Sequence, residues 1–371
     1  MKELQRILVS GGGTGGHIMP ALALCEEVRE KFPEAEIFFA GRAGSMEERL
    51  ASRHGLEFCR IPSSPKGRGF KVIKNFFVNI AGFFKSLALI IKLKPQAVVA
   101  FGGYTSAPLL SAALLLGKNA VIHESNAIPG RVTRLLAKVG VRVACGLDSD
   151  HPIMLKLKKK IRKETSFAIT GNPLRKAFSE PANDLVKELP GYNESRPLLL
   201  VFGGSQGAHN INILISRSLS RLKDNFPTRQ IAHLCGENDI ETLRSAYENV
   251  KLTYWLFPFF DDIASLMKKS NLCVARSGAL SVTEICACKL PAILIPLPFA
   301  ADNHQLANAR VLEKAGAAVI REEKDLTAAS LSETTLDLLK DEEKRRSMAE
   351  AGEKVFIKDA SFELLKFIMA V

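Results

Sequence analysis

The sequence is poor in residues that stack on nucleobases, with one Trp and four Tyr in 371 residues. With no recognisable reading motif beside them, that scarcity argues against a nucleic-acid partner, despite a formal net charge of +12. Low-complexity tracts are absent and 47% of the residues are hydrophobic, which excludes a disordered chain. Cysteine is sparse. The seven (Cys25, Cys59, Cys145, Cys235, Cys273, Cys286, Cys288) are odd in number, and Cys286 and Cys288 lack a second close pair with which to build a zinc site. Reduced core residues of a cytosolic protein are expected. The start, "MKELQRILVS", runs into glycines rather than a long apolar core, so no signal peptide is expected.

What is present is a repeated local pattern. The apolar runs "RILVSGGG", "AEIFFAG", "AVVAFGG", "NAVIHES", "LLLVFGGS", "IAHLCG", "LCVARSG" and "PAILIPLP" alternate with helical periodicity, as in parallel sheets covered on both faces. The protein is therefore expected to be α/β. Laid side by side, "ILVSGGGTGGHIMPALALCEEV" and "LLLVFGGSQGAHNINILISRSL" form a weak internal repeat of strand, glycine loop and helix. A chain of this length usually outgrows one core, so two Rossmann-like domains are expected, residues 1–164 and 165–352. The boundary is placed in the basic run "KLKKKIRKE", and a final helix at about 353–371 is expected to pack back on the first domain. Charge divides at the same place. Residues 1–164 carry 26 Lys and Arg against 13 Asp and Glu, whereas the rest carries 25 against 26. A basic first half suits an anionic membrane surface, a phosphorylated substrate or nucleic acid, and charge alone does not choose.

Within 73–92, "IKNFFVNIAGFFKSLALIIK", one helical face gathers Ile73, Phe76, Phe77, Ile80, Phe84, Leu87, Ala88 and Ile91. Lys74, Asn75, Asn79, Lys85 and Lys92 interrupt the run, which argues against a membrane span. Two compatible readings stay open: a helix covering a sheet, and a helix partly touching a membrane surface. For the second, Ile73, Phe77, Ile80 and Phe84 would face the membrane, with Lys74 and Arg68 as headgroup contacts.

Gly11, Gly13 and Gly16 satisfy G-x-G-x-x-G, but the next strand ends "FFAGR" without the acidic residue a dinucleotide ribose needs. What remains is the physics of glycine loops, which let backbone N–H groups and a helix start approach an anion. Three such loops occur, at Gly11–Gly16, Gly102–Gly103 and Gly203–Gly207, enough for two separate phosphate groups. His17 stands where a helix begins. The dipole there favours the uncharged, proton-accepting ring, so a general base is plausible. The triplet "DSD" at 148–150 reads as loop solvation or capping rather than a metal site.

Seven motifs, "GGGTGGHIMPALAL", "FGGYTSAP", "HESNAIPG", "GNPLR", "FGGSQGAHNIN", "ARSGALSVTEICACKLPAILIPLP" and "ADNHQLANARVLEKAGAA", follow in one order across the chain. In that order they closely resemble the MurG family of glycosyltransferases. The resemblance implies a GT-B fold, two Rossmann-like domains with parallel sheets facing across a cleft. It implies transfer of N-acetylglucosamine from UDP-N-acetylglucosamine to the C4 hydroxyl of the muramoyl sugar of lipid I, with inversion, giving lipid II for peptidoglycan. No cofactor and no catalytic metal are implied. Thr14, Gly15 and Gly16 correspond to the loop near the transferred sugar, and Asn126 to a sugar contact. Arg175 and Ser205 match donor-binding positions, and Phe260 meets the uracil through its backbone. The run Ala279, Leu280, Ser281, Val282, Thr283 and Glu284 borders the nucleotide, with Glu284 on the ribose, and Gln305 binds the sugar. His304 stands where some relatives carry another glutamine. His17 is the base candidate and Glu124 the second. The resemblance also implies a peripheral enzyme on the cytoplasmic face of the inner membrane, an anionic surface, and leaves open partnership with other cell-wall synthesis enzymes. The nearest rival is another GT-B enzyme, such as a UDP-N-acetylglucosamine 2-epimerase.

Overall fold

The computed structural model describes residues 3–64, 71–161, 166–204, 207–225, 230–250 and 252–370. It divides into two compact units, Met1–Arg175 with Ile357–Val371, and Lys176–Phe356.

In the first unit the strands are β1 (Arg6–Ser10), β2 (Glu36–Gly41), β3 (Glu57–Arg60), β4 (Ala97–Ala100), β5 (Asn119–Glu124), β6 (Arg142–Cys145) and β7 (Phe167–Ile169). Between them run α1 (Gly15–Lys31), α2 (Met46–Arg53), α3 (Lys71–Leu93), α4 (Ser106–Leu115), α5 (Arg131–Lys138) and α6 (Pro152–Lys160). In the second unit β8 (Leu198–Phe202), β9 (Gln230–Leu234), β10 (Thr253–Phe257), β11 (Leu272–Ala275), β12 (Ala292–Leu294) and β13 (Ala318–Ile320) make the sheet. Its helices are α7 (His209–Asn225), α8 (Ile240–Glu248), α9 (Ile263–Lys269), α10 (Ala279–Ala287), α11 (His304–Ala315), α12 (Ala328–Lys340) and α13 (Glu342–Val355). The last helix, α14 (Ala360–Met369), belongs to the first unit.

Both sheets are parallel and both are ordered the same way, β3-β2-β1-β4-β5-β6-β7 and β10-β9-β8-β11-β12-β13. The winding reverses between β1 and β4 in one and between β8 and β11 in the other. Such reversals part the loops at the carboxyl edge of a sheet and leave a crevice for ligands.

Alternation along β1 shows how the first sheet is covered. Ile7 and Val9 pack into a core with α1 and α14, while Leu8 packs on the other face with Ile90, Leu109 and Leu136 of α3, α4 and α5. Leu364, Leu365 and Ile368 anchor α14 in the first of these cores. Its last carbonyls are satisfied from the sheet: Arg142 donates to Phe367 O at 2.6 Å and Asn119 Nδ2 to Ile368 O at 2.7 Å. All seven cysteines are free, and burial pushes the Cys25 thiol up to about 12, which leaves it unreactive.

Helix α3 turns the face opposite to its most regular apolar stripe toward the protein. Gly82, Ser86 and Ile90 are buried, Phe83 and Leu89 pack against the core, and of the stripe itself Leu87 turns inward with them. A Cβ on Gly82 would lie 2.1 Å from Pro62 O, so a small residue is required at this close approach. Ser86 Oγ donates to Gly82 O at 2.7 Å and Asn79 Nδ2 to Ser64 O at 3.2 Å, so these polar residues serve the packed side. Ile73, Phe76, Phe77, Phe84 and Ile91 are left 59–63% exposed. By length and composition alone residues 73–93 could cross a bilayer, yet one side of the helix is committed to the protein.

Candidate active site

In the first unit the loop after β1 leads straight into α1. Thr14 is the N-cap in extended conformation with no side-chain cap, and the first turn contains no acidic residue. His17 N already donates to Thr14 O at 3.0 Å, so it is the N–H groups of Gly15 and Gly16 at this helix start that are open to an anion. His17 is the third residue of α1, within its first turn, and is half-buried. Its Nδ1 donates to Gly12 O at 3.0 Å, because a carbonyl can only accept. In the neutral ring the lone pair is then on Nε2.

The loop after β4 closes over this ring. A Cβ on Gly102 would sit 2.9 Å from His17 Cδ2 and Nε2, and one on Gly103 would sit 2.4 Å from Gly12 O. Both glycines have φ in the left-handed region, +96° and +87°. Glycine is thus required here twice over, by space and by backbone. Behind Gly12 stands Glu47, 4% exposed, which a Cβ on Gly12 would approach to 2.9 Å.

Glu124 ends β5 and is 8% exposed. Oε1 accepts from Asn126 N at 3.1 Å and Asn126 Nδ2 at 3.2 Å. Oε2 accepts from Gly130 N and Thr133 Oγ1, both at 2.8 Å. A carboxylate engaged by four donors organises its loop, and it holds the Asn126 amide at the sheet edge. Next to it, burial pushes His123 down to about 4; its Nε2 donates to Gly171 O at 2.9 Å and its ring lies 5.0 Å from that of Phe101. Arg175 follows β7 at the end of the first unit's longer segment, and is half-buried.

The second unit places its residues around the end of β11. Gly278 is the N-cap of α10 without a side-chain cap, and the first turn again has no acidic residue. Val282 and Thr283 point into the protein at 0% and 6% exposure, with Thr283 Oγ1 bonded to Ala279 O, and Ala279 is also buried. Leu280, Ser281 and Glu284 are partly exposed. Ser281 and Glu284 are three apart and so share a helix face. Gln305 is the second residue of α11; its Oε1 accepts from Leu297 N at 3.0 Å and its carbonyl from Ser277 Oγ at 2.9 Å. His304 turns Nδ1 back to Ala301 O at 2.8 Å. Phe260 follows β10, half-buried, with its ring 4.7 Å from that of Phe257. Ser205 and Arg68 lie outside the described residues.

Three groups escaped sequence reasoning. Arg276, 7% exposed, pairs with Glu323 at 2.6 Å and donates to the carbonyls of Ile295 and Pro296, so it ties the ends of β11, β12 and β13. The signal was a lone arginine closing the apolar strand "LCVA". Glu47 and the pair His209–Asp239 carried no local signal, since their partners are remote in sequence. Among the described residues no three or more His, Cys, Asp or Glu side chains gather as a metal could use. Asp148 of the "DSD" triplet accepts from Ser149 N and from Lys158.

Comparison with known proteins agrees with this geometry. Residues 7–145 match the glycosyltransferase family 28 N-terminal domain and residues 198–364 its C-terminal domain. The chain is 35% identical to the UDP-N-acetylglucosamine–N-acetylmuramyl-(pentapeptide) pyrophosphoryl-undecaprenol N-acetylglucosamine transferase of Geobacter metallireducens, over 96% of each chain. Its identity to the Halothermothrix orenii protein of the same name is 36%, over 94% of each. Among solved structures it is similar to Acinetobacter baumannii MurG, with TM-score 0.77, 26% identity and coverage of 99% of this chain and 100% of that one. A UDP-N-acetylglucosamine 2-epimerase from Listeria monocytogenes, at TM-score 0.67 and 14% identity, shares the fold alone. Two parallel α/β units of the GT-B fold, matched over nearly their whole length, place this chain in the MurG family of N-acetylglucosaminyltransferases.

Proposed function

We propose that the protein transfers N-acetylglucosamine from UDP-N-acetylglucosamine to the C4 hydroxyl of the muramoyl sugar of lipid I, with inversion, giving lipid II. The observation that carries this reading is the near-full-length similarity to relatives named for that transfer. An open helix start beside a reversal of strand order in each unit supports it, since donor and acceptor each bring a diphosphate.

In this reading the first unit takes the acceptor. The C4 oxygen attacks C1 of the donor sugar as its proton passes to His17 Nε2. The bond from C1 to the β-phosphate oxygen breaks, and its electron pair leaves on UDP. Gly12 fixes the ring so that Nε2 is the accepting atom. Thr14, Gly15, Gly16 and Asn126 contact the transferred sugar, while Glu124 positions Asn126 rather than taking the proton. The second unit takes the donor. Glu284 and Ser281 hold ribose hydroxyls, Gln305 offers its amide N–H to the sugar, and Phe260 meets the uracil through its main chain. Ala279, Leu280, Val282 and Thr283 contribute through the α10 backbone, and Arg175 and Ser205 bind the donor. Charge arising on UDP is met by helix N–H groups.

The acceptor's polyprenyl tail stays in a bilayer, so the enzyme works at the cytoplasmic face of the inner membrane. Ile73, Phe76, Phe77, Phe84 and Ile91 on α3 supply the apolar contact, with Ile80 partly buried between them. Leu135 of α5 and Val139 just after it are exposed apolar residues of the same unit, and Lys74, Lys85 and Lys92 face anionic headgroups. The test is a radiolabelled transfer assay with UDP-N-acetylglucosamine and a lipid I analogue. Labelled disaccharide lipid is expected, and no transfer from folded, UDP-binding protein would overturn the assignment.

A further inference from the structure

Beneath the turn from β8 into α7, five polar side chains of the second unit form one line of hydrogen bonds. Tyr247 Oη lies 3.1 Å from His233 Nδ1, and His233 Nε2 lies 2.9 Å from Asn212 Oδ1. Asn212 Nδ2 donates to Asp239 Oδ2 at 2.7 Å, and Asp239 Oδ1 lies 2.7 Å from His209 Nδ1. Tyr247, His233 and Asn212 are at most 2% exposed.

The direction of every bond follows from its end. Burial pushes His233 down to about 3, so its ring carries a single proton. Asp239 is buried enough to be raised, yet the hydrogen bonds from His209 and Asn212 hold it below the usual carboxylate range, and as a carboxylate it only accepts. The Asn212 amide nitrogen must therefore face Asp239 and its oxygen His233. His233 then donates from Nε2 and accepts at Nδ1 from the Tyr247 hydroxyl. At the other end His209 must carry a proton on Nδ1. No polar atom in the line conflicts with its neighbour, and the whole of it converges on one imidazole.

That imidazole is the member most open to water. The side chain of His209 is 67% exposed, and Nε2 has no hydrogen-bond partner among the described residues. His209 is also the first residue of α7, immediately beyond Gly207 and Ala208, at the carboxyl end of β8 where the strand order reverses. Burying so many polar groups costs stability unless each is satisfied, and an exposed histidine needs no such support for its own sake. In the imidazolium form, a ring held from behind by a carboxylate presents its second N–H outward, to an anion.

We propose that His209, as the imidazolium with Asp239 as its counter-ion, binds the diphosphate of the donor nucleotide through Nε2–H; Asp239 is the residue that positions it, and Asn212, His233 and Tyr247 are the buried line that positions Asp239. The proposal rests on the reading of the second unit as the donor site. No proton moves in this role: as the C1–O bond breaks and the electron pair settles on UDP, the imidazole hydrogen bond meets the added charge.

Uridine and UDP separate this role from others, because they differ only in the diphosphate. Full-length wild type, His209→Ala, His209→Arg and Asp239→Asn are titrated with both ligands by calorimetry. Loss of one charged hydrogen bond is expected to lower the UDP-to-uridine affinity ratio about tenfold in His209→Ala, with uridine binding unchanged. His209→Arg should restore the ratio and Asp239→Asn should lower it partway. An unchanged ratio in His209→Ala, or an equal fall for both ligands, would overturn the proposal. Wild type that binds UDP no better than uridine would overturn it together with the placement of the donor in this unit.

Discussion

At His17 two contacts decide what the ring can do: the Gly12 carbonyl fixes the proton on Nδ1, and Gly102 leaves space for the ring that no other residue could leave. His17→Ala should lower kcat for transfer by about 10²–10⁴, the usual worth of a positioned base, with the affinity for UDP unchanged. A retained turnover would send the proton to another acceptor. Gly102→Ala should reproduce much of that loss, since its Cβ would press on the ring from a φ of +96°. Glu124→Gln behaves differently on this geometry. An amide in place of a carboxylate sets an N–H against donors that it cannot accept from, so a stability loss of about 1–3 kcal/mol is expected in denaturant unfolding. His17 was legible in the sequence because its chemistry is local: a histidine in the first turn of a helix that a glycine loop opens. Arg276 and Asp239 were not, because their meaning lies in partners that only the folded sheet brings near.

Helix α3 shows what periodicity conveys and what it omits. The sequence marks an amphipathic helix with an apolar stripe, and such a stripe normally faces the core. Here the stripe from Ile73 to Ile91 is largely outward, and the side holding Gly82 and Ser86 is inward, because close approach to the Pro62 backbone demands small residues. A stripe says that water is avoided on one face without saying what replaces it. Paired Phe77→Ser and Phe84→Ser changes should weaken binding to anionic vesicles in a flotation assay while leaving the melting temperature nearly unchanged, since both rings are more than 60% exposed. Unaltered flotation would remove α3 from the membrane contact. Ile90→Ala, on the buried side, should do the reverse and cost about 2–5 kcal/mol of stability.

For the molecule as a whole, the strand–glycine–helix repeat in the sequence reappears as two sheets with one strand order, because each glycine loop begins the first βα unit of its sheet. Each sheet also buries one histidine near its carboxyl edge, His123 in the first unit and His233 in the second. Burial holds both neutral. It outweighs the Gly171 carbonyl and Glu124, which favour the charged form of His123, and Asp239, which favours that of His233. A histidine whose folded value is depressed binds its proton more readily in the unfolded chain, so stability falls as pH drops through the ordinary value of 6.5. For His123 the loss runs from about 6.5 down to about 4, and for His233 down to about 3. By pH 5 each should have removed about 2 kcal/mol from its own unit. The two units need not unfold together, so the measurement is calorimetry at pH 7 and pH 5 with the transitions resolved. His123→Asn keeps a donor for the Gly171 carbonyl and has no charge to gain. It should flatten the pH dependence of the first unit's transition and leave that of the second unit steep. If both transitions keep their wild-type slopes, carboxylates rather than His123 set the acid sensitivity of the first unit.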